Sequence, residues 1–208
     1  MKNPHPFRDA RGERGFTLIE LLVVLALAAI LMFMSFPALQ ATLRQAKLRG
    51  IAQETTALMR QARLNAIKTS SQAVVRLVPA TALDPISRVE AFSDRNGDGK
   101  LDPDEPVLGR VEVPSRVVFR APPNNLDKAS VEGFSPNPEN SSLPNVARFH
   151  SDGAILDVGA FRFADDSNNF LEVRVAPAAT ARIEVRKWNE TRSDWFANGD
   201  NKEAWSWN

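Results

Sequence analysis

The sequence predicts an α+β fold: a long N-terminal helix, transmembrane and then amphipathic, packed on an antiparallel β-sheet or sandwich domain. Three observations lead there. Residues 16–36 are almost wholly apolar, broken only by Thr17, Glu20 and Ser35. Residues 38–69 keep a helical period but turn amphipathic, with Ile51, Thr55, Leu58, Ala62 and Ala66 recurring at steps of three and four. From about residue 72 the apolar period shifts toward two, and Pro, Gly, Asn and Asp clusters separate short runs.

The apolar run comes first. At about 1.5 Å per residue it spans roughly 31 Å as a helix, close to the ~30 Å hydrocarbon core of a bilayer. Ahead of it stand Lys2, Arg8, Arg11 and Arg14 against Asp9 and Glu13. That cationic surplus keeps the amino end cytoplasmic and exports the chain beyond the apolar run. An ordinary secretory signal would end in a small-x-small cleavage site. Here the run reaches Pro37 and continues into the amphipathic stripe, which predicts a retained single-pass anchor. Glu20 is the anomaly within it. An ionisable group in a membrane helix costs ~2.5–3.5 kcal/mol on insertion scales and marks a functional site by default. The competing reading is an interfacial Glu at a helix start, favoured by the helix dipole.

The amphipathic stretch carries Arg44, Lys47, Arg49, Arg60, Arg63 and Lys68, read as solvated charges, and Gly50 interrupts it. Strands are expected at residues 73–78, 89–92, 107–113, 116–120, 146–149, 154–158, 160–163, 171–175 and 181–187. Residues 121–145, rich in Pro, Asn and Ser, read as a surface loop.

Composition narrows the function. The chain has 208 residues, 26 Lys+Arg against 25 Asp+Glu, no cysteine and no tyrosine, and its histidines are His5 and His150. This length suits one ordinary domain with an appendage. A formal charge of +1 argues against a globally basic nucleic-acid binder. Without cysteine there are no disulfides, thiol nucleophiles or cysteine-ligated metals. With so few groups titrating near neutrality, the chain is expected not to be an enzyme. His150 stands beside Ser151 and Asp152, but strand neighbours point to opposite faces and form no triad, so a turn is expected.

Arg14-Gly15-Phe16-Thr17-Leu18-Ile19-Glu20 resembles the class III leader and cleavage site of type IV pilins and pseudopilins, with the apolar run following in register. The resemblance implies the pilin fold, cleavage between Gly15 and Phe16 by a prepilin peptidase, and methylation of the new amino group of Phe16. Small Gly15 lets the backbone approach a protease closely. The resemblance also implies that Glu20 pairs with the terminal ammonium of a neighbouring subunit. An opposite charge would offset the burial of its carboxylate. Pro37 falls where helices of that family typically kink, and a proline there removes one helix hydrogen bond.

The segments expected on this basis are a cytoplasmic leader (1–15), a transmembrane and assembly helix (16–37), an amphipathic helix (38–70), a periplasmic β-domain (71–187) and a Trp-rich tail (188–208). An acidic turn at 94–105 followed by Pro106-Val107-Leu108, and a turn at Phe149-His150-Ser151-Asp152-Gly153, resemble the GspH/FimT subgroup. The usual Gly-Arg-Val near its end stands here as Ala181-Arg182-Ile183. That subgroup implies a minor subunit of a type II secretion pseudopilus or a type IV pilus. Its implied partners are other pseudopilins or pilins, the inner-membrane assembly platform, the prepilin peptidase and the membrane.

Two features stand apart. Residues 94–105 satisfy D-x-[DN]-x-[DN]-G-x5-E, and Asp94, Asn96, Asp98, the Lys100 carbonyl and Glu105 could supply oxygens to calcium. The helices of an EF-hand are missing and Pro103 stiffens the loop, so a hairpin tip with self-satisfied Asx turns is the favoured reading. No cofactor is required, and calcium is the one the loop admits. Trp188, Trp195, Trp205 and Trp207 all lie near the end. They read as a contact surface or as side chains docked on the domain itself. Stacking on single-stranded DNA, in a FimT-like minor pilin for DNA uptake, is the rival reading. Arg186, Lys187, Arg192 and Lys202 are matched by Glu190, Asp194, Asp200 and Glu203, which disfavours it. Salt-dependent binding of DNA by the chain would separate the two.

Overall fold

A computed structural model of the chain describes residues 16–125, 128–198 and 205. The chain divides into two compact units, Met1–Thr42 and Leu43–Asn208. Helix α1 is continuous from Leu18 to Thr69 and carries Pro37 within it.

Among the described residues of the first unit the large apolar side chains stay uncovered, Leu21, Val24 and Leu31 among them.

In the second unit all five residues of the sequence stripe are buried, together with Leu48, Ala52 and Met59. Thr55 apart, they pack into one core with residues from nine of the ten strands. Four strands form one antiparallel sheet: β1 (Gln72–Val78), β2 (Arg88–Asp94), β3 (Val107–Glu112) and β6 (Ala147–Phe149), in the order β3-β2-β1-β6. The second sheet takes β4 (Val117–Phe119), β7 (Gly159–Asp165), β8 (Phe170–Val175), β9 (Ile183–Asn189) and β10 (Asp194–Ala197), in the order β10-β9-β8-β7-β4. β5 (Val131–Glu132) also pairs with β7. The α+β arrangement is as the sequence predicts.

Three elements differ from expectation. Residues 154–158 form no strand; Ile155 makes a single bridge to Phe149, and its N–H turns away to the Ala178 carbonyl. β5 lies inside the stretch read as loop, where Val131 is buried opposite Phe161. β10 follows β9, which runs on to Asn189, so Trp188 and Trp195 face each other across a hairpin instead of lying in a separate tail.

Each sheet carries an Arg–Glu–Arg row across three strands. In the first, Arg76, Glu90 and Arg110 are cross-strand neighbours, and Glu90 is 1% exposed. In the second, Arg162, Glu172 and Arg186 repeat the pattern, with Glu172 at 0%. The two carboxylates fare differently. Burial pushes Glu90 up, but Arg110 Nε donates to Oε1 at 2.5 Å and Arg76 donates twice to Oε2, and these bonds bring it below the usual range. Burial also pushes Glu172 up, and there it prevails: neither Glu172 oxygen accepts a hydrogen bond among the described residues, and Arg162 Nε stays 3.5 Å away.

The signs for stability are opposite. The Glu90 contribution is present above the unfolded carboxyl pKa and is lost as pH falls through its lowered folded value. The Glu172 charge is unfavourable above its raised folded value, and stability returns as pH falls toward the unfolded value. At neutral pH, Glu90→Gln is expected to lower stability by about 1.5–3 kcal/mol through lost charge-assisted bonds. Glu172→Gln is expected to raise it. Melting curves from neutral pH to below about pH 4 should show the two variants converging as both parent carboxylates protonate.

Candidate functional site

The site suggested by the sequence centres on the start of α1. Thr17 is the N-cap and Glu20 the third helical residue, and the pair closes a capping box. Thr17 N–H and Oγ1 both donate to Glu20 Oε2 at 2.9 Å, while Glu20 N–H donates to Thr17 Oγ1 at 3.3 Å. The helix dipole also favours an acid in the first turn. Thr17 is not among the residues the sequence singles out, although Thr-x-x-Glu ahead of an apolar run is a recognisable helix-start signal. Glu20 and its cap are exposed. The carboxylate is therefore held beside the Phe16 backbone by a short threonine and remains open to an incoming cation.

Near it, Phe16, Leu18, Ile19 and Leu22 are all more than half exposed, as is Phe33 further along the helix. The apolar window of α1 is long enough to cross a membrane, and none of it is buried. Pro37 lies within the same helix, past Ser35, whose Oγ bonds back to the Leu31 carbonyl at 2.9 Å. Gly15 lies outside the described residues.

The acidic segment forms the β2–β3 connection, and its side chains are engaged by the loop's own amides. Asp94 accepts from Gly97 N–H at 2.7 Å and from Gly99 N–H at 2.9 Å, and Glu105 accepts from Arg95 and Asp102 N–H. Asn96 accepts from Asp98 N–H, and Asp98 from Lys100 N–H. Burial raises Asp94 above the usual carboxylate range despite those amides. Arg148 Nη2 stands 3.8 Å from it and donates to the Gly97 carbonyl at 2.8 Å, occupying with a cation the space beside the carboxylate. Gly99 has a φ of 79°, and a Cβ there would lie 2.9 Å from Pro138 Cγ. Among the described residues, no group of three or more His, Asp or Glu is set to hold a metal ion. Because the carboxylates are already partnered, adding calcium in place of a chelator is expected to leave the melting temperature unchanged. A rise of several degrees would instead support coordination by Asp94, Asn96, Asp98, Lys100 and Glu105.

The remaining features are local. At the 149–153 turn, Gly153 N–H donates to the His150 carbonyl and Arg63 Nε to the Gly153 carbonyl. Trp188 is 5% exposed and packs with Ala164, Phe170 and Trp195, while Trp205 packs against the main core. Trp207 lies outside the described residues.

Comparison with known proteins covers both units. Residues 10–36 match the family model of the prokaryotic N-terminal methylation motif. Residues 52–180, more than half of the chain, match that of the type II transport protein GspH. No curated protein and no solved structure matches. A methylation motif leading into a helix long and apolar enough to cross a membrane, with a GspH match behind it, is the plan of a pilin-like pseudopilin, and the chain belongs to the GspH family.

Proposed function

We propose that the chain is a minor pseudopilin, a structural and not a catalytic subunit of a type II secretion pseudopilus or a type IV pilus. It is stored in the inner membrane by residues 16–36, with its amino end cytoplasmic and its β-domain periplasmic. Prepilin peptidase cuts between Gly15 and Phe16 and methylates Phe16. Glu20 then pairs with the ammonium of a neighbouring subunit, and the assembly platform adds the subunit to the filament. Pro37 adapts the helix to its neighbours by omitting one backbone bond.

The observation that carries this reading is the match to the methylation motif, which ends on an uncovered apolar stretch of helix with Glu20 held at its first turn. The absence of cysteine makes the test clean. Leu25→Cys, expressed with the remaining subunits carrying single cysteines in the same helix, should give disulfide-linked heterodimers in the sheared filament fraction. A chain that stays uncrosslinked in the membrane contradicts assembly.

A further inference from the structure

The first sheet ends on β3, whose outer side pairs with no strand among the described residues. Val113 N–H donates to the Ser87 carbonyl at 2.9 Å, and this bond fixes the alternation of the β2–β3 ladder. Gly109, Val111 and Val113 turn their backbone groups toward β2, while Arg110 and Glu112 turn theirs away. Gln61 Nε2 donates to the Leu108 carbonyl at 3.0 Å and closes that end of the edge. The backbone N–H and C=O groups of Arg110 and Glu112 have no partner among the described residues. Two donors and two acceptors thus stand in one line, open to an added strand.

The side chains along that line alternate in charge. Glu139, Arg76, Glu90 and Arg110 form a row of alternating sign across the sheet, and the row stops at the edge on a cation more than half exposed. The neighbouring row runs from Arg88 to Glu112 and stops on an exposed anion. Glu54 is also exposed and lines a cavity of about 620 Å³ together with Glu112; neither has an ion-pair partner among the described residues. Continuing both rows requires an anion opposite Arg110 and a cation opposite Glu112. Val111 between them is buried, so the residue opposite it should be apolar. On its other side β3 already has such a neighbour, because Arg88-Val89-Glu90 lies antiparallel to Arg110-Val111-Glu112. A second copy paired in this way would be related by a twofold axis, with its α1 running in the opposite direction. That does not suit two chains anchored by α1 in one membrane.

We infer that β3 takes up, antiparallel, an extended segment of another protein that reads cation–apolar–anion. This docking does not depend on α1 entering a filament. The full-length chain in phosphatidylcholine nanodiscs can be titrated into a fluorescein-labelled peptide, Thr-Thr-Lys-Val-Glu-Thr-Thr, and read by fluorescence anisotropy. Saturable binding below about 1 mM is expected, about fivefold tighter than that of the same peptide with Glu in place of Lys. Methylating the backbone nitrogens of the peptide Lys and Glu, which face the Glu112 and Arg110 carbonyls, should abolish binding. Glu112→Lys alters an exposed side chain without an ion pair, should melt within a few degrees of the parent, and should reverse the preference between the two peptides. No saturation, undiminished binding of the methylated peptide, or a preference that Glu112→Lys leaves unchanged would overturn the inference. So would tighter binding of the reversed order Glu-Val-Lys, which marks a parallel strand, or pairing of two chains through this edge in place of peptide binding.

Discussion

Replacing Glu20 by alanine is expected to remove the subunit from filaments while leaving its amount in the membrane unchanged. Losing one partner of a buried ion pair costs about 3–5 kcal/mol, which corresponds to a loss of roughly 100-fold or more in incorporation. The capping box complicates this variant, because alanine also abolishes the bonds from Thr17 to Oε2. Glu20→Gln separates the two roles. Glutamine serves in a capping box as glutamate does, so the helix start survives while the charge is lost. If the charge sets docking, Glu20→Gln fails as Glu20→Ala does. Normal incorporation of the glutamine variant, read from sheared filaments, would reduce Glu20 to a helix cap.

The largest expected effect on folding comes from Gly159→Ala. A Cβ there would lie 2.3 Å from the Glu132 carbonyl oxygen and 2.6 Å from both Phe134 N and Phe134 Cδ1. Two of those three are backbone atoms, so no rotamer change relieves the contact. Gly133 sits on the facing chain with a φ of 78°, and its own Cβ would lie 2.4 Å from the Val158 carbonyl oxygen. Together they let the β5 segment lie directly on β7. Gly159→Ala should therefore cost about 3 kcal/mol or more, a fall of roughly 6–12 °C in melting temperature for a domain of this size. Gly50→Ala is the matched control. That helical glycine has nothing within 4 Å of a built Cβ, and the substitution should stabilise by about 0.5–1 kcal/mol.

An element is legible in the sequence to the extent that its signal is local. The stripe from Ile51 to Ala66 is legible because helical burial repeats over several turns, and each of its five members is buried. The Asp94 turn is legible because its bonds join near neighbours, reaching Gly97 and Gly99 within the loop. β5 is hidden: two residues carry no period, and Val131 is held by Phe161 thirty residues along the chain. β10 is hidden because it pairs with Trp188, in a stretch whose polar composition reads as a tail. The Arg–Glu–Arg rows need the strand register, which no single strand contains. At the amino end the acid, the proline and the junction are visible, while the part played by Thr17 emerges with the geometry of the cap.

The most direct test of the account is the amino terminus itself. The chain should be produced with a prepilin peptidase in the membrane and measured by intact and amino-terminal mass spectrometry. The account predicts a product that begins at N-methylated Phe16 and has lost the fifteen leader residues ending in Gly15. A full-length chain, or one cut elsewhere, would contradict it and leave an anchored β-domain with no route into a filament.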